Sequence, residues 1–311
     1  MSSPLPPIPI AADRHDRLVW EHLKRFEGVI GRIYTDCKGV PTMGTGIALA
    51  VSGPAGWRLR PWGEIGAEIS GDSAQPYVFT LEERQRLLQC LRALGQGDVP
   101  GAQALIPPFD SRRETPDRNR FGFTLDDSRM RAMALTKWEP ARRAVLGDIL
   151  AEATAQGYGL DEAKRIAAGY VHSAQEVGLA SVRFNIGIGR PTPKASRALV
   201  SGERATLWFE IACNTNPPSN GAARPGIAWR RLAEARLACG HPSIWNSADQ
   251  AALQRLLANK ADAMAAYRRA VPGVVPTDPC AEPDLDPPPG GASARPAIPE
   301  DTKEDRSDRA A

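Results

Sequence analysis

The chain has 311 residues, 42% of them hydrophobic and 24% charged, with a formal net charge of +3. That composition is ordinary for a soluble globular protein, and the length suffices for one sizeable core or two modest ones. No run approaches the about 18 apolar residues of a membrane span, so no membrane span is expected. The five cysteines (Cys37, Cys90, Cys213, Cys239, Cys280) and four histidines (His15, His22, His172, His241) show no ligand-like spacing. No metal and no cofactor are therefore expected.

Residues 1–15 hold three prolines within the first seven positions and read as an extended arm. They have neither a cationic n-region nor an apolar h-region, so no Sec signal peptide is expected in them. Val19, Leu23, Phe26 and Ile30 then recur at helical spacing and line one face. Glu27 stands near the end of that pattern, and Gly28 is a stop signal. Arg32–Asp36 is a strand-like run, Lys38-Gly39 a turn, and Val40–Thr45 a return strand. A helix end thus delivers Glu27 and a neighbouring hairpin delivers Asp36, with Thr42 on the strand that comes back. Two carboxyls in different surroundings suit glycosidic cleavage. One protonates the leaving oxygen, and the other activates water or attacks the sugar. A Glu and an Asp at this spacing are, taken alone, more often two solvated side chains.

Residues 48–124 read as an inserted substrate lobe, punctuated by glycine and proline. Thr80 and Glu83 have capping-box spacing at the start of a helix running to Gly95. Trp57 and Trp62 are either core anchors of that lobe or platforms for sugar rings. Residues 125–271 are mostly helical. Asp126–Leu150 is long and interrupted or kinked near Pro140, and Leu160–Glu176 closes near Gly178. Pro193–Val200 and Glu203–Cys213 are short helices, Asn214–Ala223 is a polar loop, and Ile227–Cys239 and Ala248–Ala270 are helices. The expected fold is α+β and mainly helical, a small β-hairpin lobe beside a helical lobe with a cleft between them, and residues 16–271 form the domain. Cys213 and Cys239 flank one of the helices and leave a bridge open.

Residues 272–311 contain nine prolines and no apolar periodicity, and are expected to be a disordered acidic tail. They carry nine acidic and four basic residues, a net of −5, so the rest of the chain carries +8 (3 + 5). A modestly cationic body suits an anionic polymer such as the bacterial wall. No nucleic-acid-binding motif accompanies the charge, and no nucleic-acid partner is expected.

Phe26-Glu27-Gly28, Tyr34, Asp36, Gly39, Pro41-Thr42, Gly44 and Gly46 resemble the active-site signature of phage-type lysozymes, glycoside hydrolase family 24. Phe184-Asn185-Ile186-Gly187-Ile188-Gly189 resembles that family's helix and turn beside the cleft. Residues 225–237, with Arg230-Arg231 and Glu234, resemble its closing helix. The three blocks follow the family's order. Ile47 stands where the family usually has a histidine, and the gap between the first two blocks is longer than in compact members. The resemblance implies a lysozyme-like fold and a muramidase that cuts the β-1,4 bond between N-acetylmuramic acid and N-acetylglucosamine. Glu27 would be the acid, with Asp36 and Thr42 holding a water for an inverting reaction. Tyr34, Phe184 and Asn185 would contact substrate, and Arg230 or Arg231 would support Glu27. Peptidoglycan is the implied partner. Synthesis in the cytoplasm and action on the wall in the periplasm would require release as a phage endolysin, or delivery as an effector with its machinery and an immunity protein. A non-catalytic wall-binding module and a chitin or chitosan hydrolase are the alternatives.

Overall fold

A computed structural model describes residues 3–110, 113–187, 192–214 and 225–259, and the side chains of 225–229 are not among them. The acidic tail, Cys280, Ile188-Gly189, most of the polar loop after Asn214 and the end of the last expected helix lie outside the described residues. The fold is mainly helical with a small antiparallel sheet. Among the described residues no helix is long and apolar enough to cross a membrane.

Helix α1 (Ala12–Glu27) buries Val19 and Leu23 and ends where expected, at Gly28 with φ 71°. A positive φ is cheap only for glycine, so the helix stops there. Ile30, expected on the helical face, instead opens strand β1 (Ile30–Thr35). Strand β1 pairs antiparallel with β2 (Pro41–Gly44), and β2 pairs with β3 (Ile47–Ala48). The register shifts between Ile30 and Tyr34, an irregularity of the β-bulge kind. Residues 48–124 are more ordered than their composition promised. They form the hairpin β4 (Ala50–Gly53) and β5 (Gly56–Leu59), then α2 (Trp62–Ser70), α3 (Leu81–Gly95) and α4 (Val99–Leu105). Both halves of the Thr80–Glu83 capping box are made. Glu83 also accepts from Tyr77 Oη at 2.8 Å and from the Gly122 amide at 2.7 Å, clamping the loop after α4 to this lobe.

Helix α5 (Asp127–Ala155) is the central element and runs uninterrupted through Pro140. Thr136, whose carbonyl Pro140 cannot serve, is exposed, so solvent can take that bond. The helix expected to span Leu160–Glu176 is two: α6 (Leu160–Gly169) and α7 (Ala174–Ile186), broken at His172, a non-glycine residue with φ 56°. Gly178 is no terminator but sits inside α7. A Cβ there would lie 2.7 Å from the Glu234 carbonyl oxygen. The glycine is the price of close helix packing. Helices α8 (Pro193–Val200) and α9 (Arg204–Phe209) follow as expected, with a π-helical turn at Glu210–Asn214. Helix α10 (Pro225–Cys239) packs on α7, and α11 (Ser247–Asn259) packs on α9. Cys239 is a buried free thiol, which rules out the Cys213 bridge.

The N-terminal arm is shorter than expected, since α1 already begins at Ala12. It is extended but not loose. The Leu5 amide donates to the Leu199 carbonyl at 2.9 Å, Ile10 to His172 at 2.8 Å, and Ala174 back to Ile8 at 2.9 Å. It straps α8 and the α6–α7 junction.

Candidate active site

Glu27 is the last residue of α1, with a side chain 23% exposed. Its Oε1 accepts a hydrogen bond from Arg230 Nη1, across 203 positions of sequence. Oε2 accepts none from any described residue. Of the two arginines proposed from the closing helix, Arg230 reaches Glu27. Arg231 turns the other way, to Glu234 Oε2 and, through Nη2 at 2.6 Å, to Asn185 Oδ1.

Behind this contact lies a buried polar cluster. Arg230 Nε donates to Glu234 Oε1 at 2.8 Å, and its Nη2 donates to the Ser181 hydroxyl at 3.1 Å. Glu234, four residues after Arg230 and three after Arg231, meets both on one helix face. The Ser181 hydroxyl donates its proton to Glu234 Oε1. Ser181 Oγ must therefore accept from His22 Nε2 at 2.8 Å, which places the imidazole proton on Nε2. One hydroxyl thus uses its proton and both lone pairs. Burial would raise the Glu234 carboxyl, but Arg231, His22 and Arg230 outweigh it and hold it at about 2. Burial lowers His22, against Glu234, which favours the neutral ring. Arg230 is thereby fixed on three sides before it meets Glu27. His22, Ser181 and Glu234 were not singled out from the sequence. The spacing of Glu234 from the two arginines was the available signal; nothing local marks Ser181.

Asp36 and Thr42 sit on the β1–β2 hairpin. Asp36 Oδ1 accepts from the Lys38 and Val40 amides, both at 2.8 Å, a closed turn that fixes the carboxylate. Asp36 Oδ2 accepts no hydrogen bond from a described residue. Thr42 is buried and its hydroxyl donates to the Val40 carbonyl at 2.9 Å, which leaves its oxygen as an acceptor. Tyr34 is also buried and lies directly opposite Thr42 in the register.

The other expected substrate contacts are partly engaged within the protein. Phe184 packs its ring 5.9 Å from that of Trp138, and the Asn185 amide oxygen serves Arg231. Trp62 stands 5.2 Å from Phe79, beneath Arg84, in an aromatic group with Tyr77, Phe121 and Phe123. It is a core anchor of its lobe, and Trp57 also packs on the core. Two open grooves, of about 240 and 290 Å³, lie along α5–α6 and under the N-terminal arm, and neither is lined by Glu27, Asp36 or Thr42. Among the described residues no three His, Cys, Asp or Glu side chains converge as metal ligands. No family model, no curated protein and no solved structure matches the chain.

Proposed function

We propose that this protein is a muramidase of phage-lysozyme type, hydrolysing the β-1,4 bond between N-acetylmuramic acid and N-acetylglucosamine of peptidoglycan. The observation that carries it is the Glu27–Arg230 contact, which joins the first and third of the three sequence blocks across the fold. A mainly helical body with a small antiparallel sheet supports a lysozyme-like build. In this mechanism Arg230 holds Oε1 so that Oε2 of Glu27 carries the proton to the leaving oxygen. Asp36, pinned by two amides through Oδ1, takes a proton from the attacking water through Oδ2. Thr42 accepts that water's other hydrogen, because its own proton is committed to Val40. A water held this way attacks from the face opposite the acid and inverts the anomeric carbon. Action on the wall requires that another agent bring the protein there, by release as an endolysin or delivery as an effector.

Glu27→Gln is the direct test. Release of reducing ends from purified peptidoglycan should fall by about 10²–10⁴-fold with the fold intact. Near-normal turnover by the folded variant would overturn the assignment. Proton NMR of fresh product from the parent should show the α-anomer first; a β-anomer first makes the reaction retaining.

A further inference from the structure

Lys137 differs from Arg60, Arg230 and Arg231 in its partners. Arg60 is neutralised by Glu64 and Glu68, at the base of the β3–β5 region, and Arg230 and Arg231 share Glu234. Lys137 is half-buried, yet no described carboxylate lies within ion-pair distance of it. Among the described residues its one hydrogen bond is to the Gly46 carbonyl at 3.3 Å, in the turn that follows the Thr42 strand. An ammonium has three donors, so two remain for a ligand. Position is fixed by α5. Met133, one helical turn earlier, packs beneath Gly44 of the same turn, which brings Lys137 over it. Burial and the field of Arg60 push the Lys137 ammonium down from the usual lysine range, against the fields of Glu68 and Glu27.

We propose that Lys137 is an anion-binding residue of this site, taking a carboxylate carried by the stem peptide on the muramyl side of the glycan. A half-buried ammonium with no described carboxylate within ion-pair distance gains from a ligand that brings one. Neutral glycans such as chitin carry no such group, so the same residue would set specificity toward the wall polymer. This rests on the muramidase reading.

The test measures binding rather than turnover, in the Glu27→Gln background. The probes are peptidoglycan sacculi with free carboxylates and the same sacculi with those carboxylates capped as N-methylamides, in a co-sedimentation assay. The Glu27→Gln protein should prefer the free-carboxylate form. Adding Lys137→Gln, which can still donate to the Gly46 carbonyl but has no charge, should cut affinity for that form about tenfold. Adding Lys137→Arg should retain most of the preference. If both sacculi are bound and Lys137→Gln lowers affinity for neither, or for both alike, Lys137 only props the turn and the inference fails while the muramidase reading stands. If the Glu27→Gln protein binds neither polymer, the reading and the inference fall together.

Discussion

Two buried glutamates flank α1, each beside a histidine of that helix, and they are neutralised in opposite ways. Glu234 is met by two guanidinium groups and the Ser181 hydroxyl, and His22 reaches it chiefly through that hydroxyl. Glu176, seven residues of α1 away at His15, has no such pair. It accepts from the His172 amide at 2.8 Å, and His15 Nε2 stands 3.4 Å from its Oε1. The consequence shows in the imidazoles. Burial lowers His22, whereas Glu176 and Asp16 outweigh burial and raise His15. A site whose counter-charge is arginine keeps its geometry at any ordinary pH, and a site whose counter-charge is histidine does not. The arginine solution is at the proposed acid. The histidine solution is at the strap.

Removing each carboxylate gives the largest contrast. Glu234→Gln leaves Arg230 and Arg231 buried without a full counter-charge and should cost about 3–5 kcal/mol of stability. Glu176→Gln removes the partner of a group that can simply lose its proton, and should cost about 1–3 kcal/mol. Urea unfolding of both variants near neutral pH measures the difference. Equal losses would break the comparison, because they would mean that His15 serves as a fixed charge.

Acidity tests the same contrast with opposite signs. The Glu234 carboxyl sits at about 2 when folded, against 4.5 unperturbed. Its contribution, roughly 3 kcal/mol, is present above the unfolded value and lost as pH falls toward the folded one. His22 is lowered, so the folded state resists its protonation, and its contribution is full above 6.5 and declines below it. His15 is raised, so its contribution is full below 6.5 and lost as pH rises through the folded value. The stability advantage of the parent over His15→Gln should therefore shrink between pH 5.5 and 8.5, and the advantage over His22→Gln should grow. Chemical denaturation at the two pH values reads both slopes, and slopes of the same sign would refute the assignment of counter-charges.

The proposed site was more legible than the scaffold that holds it. Gly28 announces the end of α1, and Lys38-Gly39 announces the hairpin, because both are local chemistry. Thr80 with Glu83 and Pro193 with Val200 mark helices for the same reason. Gly178 misled because its cause is tertiary: the missing Cβ admits the backbone of α10, and no neighbour in sequence says so. The same holds at Gly66 in α2, where a Cβ would meet the Tyr77 carbonyl oxygen at 2.4 Å, so a glycine-rich helix reads as a loop. The break at His172 follows Gly169, the last residue of α6, and is fixed by the strap and by Glu176. Periodicity also carried Ile30 into the helix, although the chain turns to strand two residues after Gly28. Arg230 and Arg231 were visible as a pair; which one faces Glu27 depends on where α7 places Ser181 and Asn185.

The smallest effect separates the two regions most cleanly, because it compares one hydroxyl with another on the same helix. Ser173 caps α7, accepting from the Glu176 amide at 3.1 Å and donating to the Tyr170 carbonyl at 2.7 Å. Its loss in Ser173→Ala should cost about 1 kcal/mol, the usual value of a cap. Ser181→Ala, two turns on, strands the His22 Nε2 proton and one Arg230 donor, and should cost about 1–3 kcal/mol. Stability alone would barely distinguish them. Turnover should. Ser181 is one of the groups that fix Arg230, and Arg230 fixes Glu27, so Ser181→Ala should slow peptidoglycan hydrolysis out of proportion to its loss of stability. Ser173→Ala should leave turnover at the parent's level at temperatures where it is folded. A rate loss in Ser173→Ala as large as in Ser181→Ala would show that the strap side and the acid side move as one unit, and that the division of labour between the two glutamates is not functional.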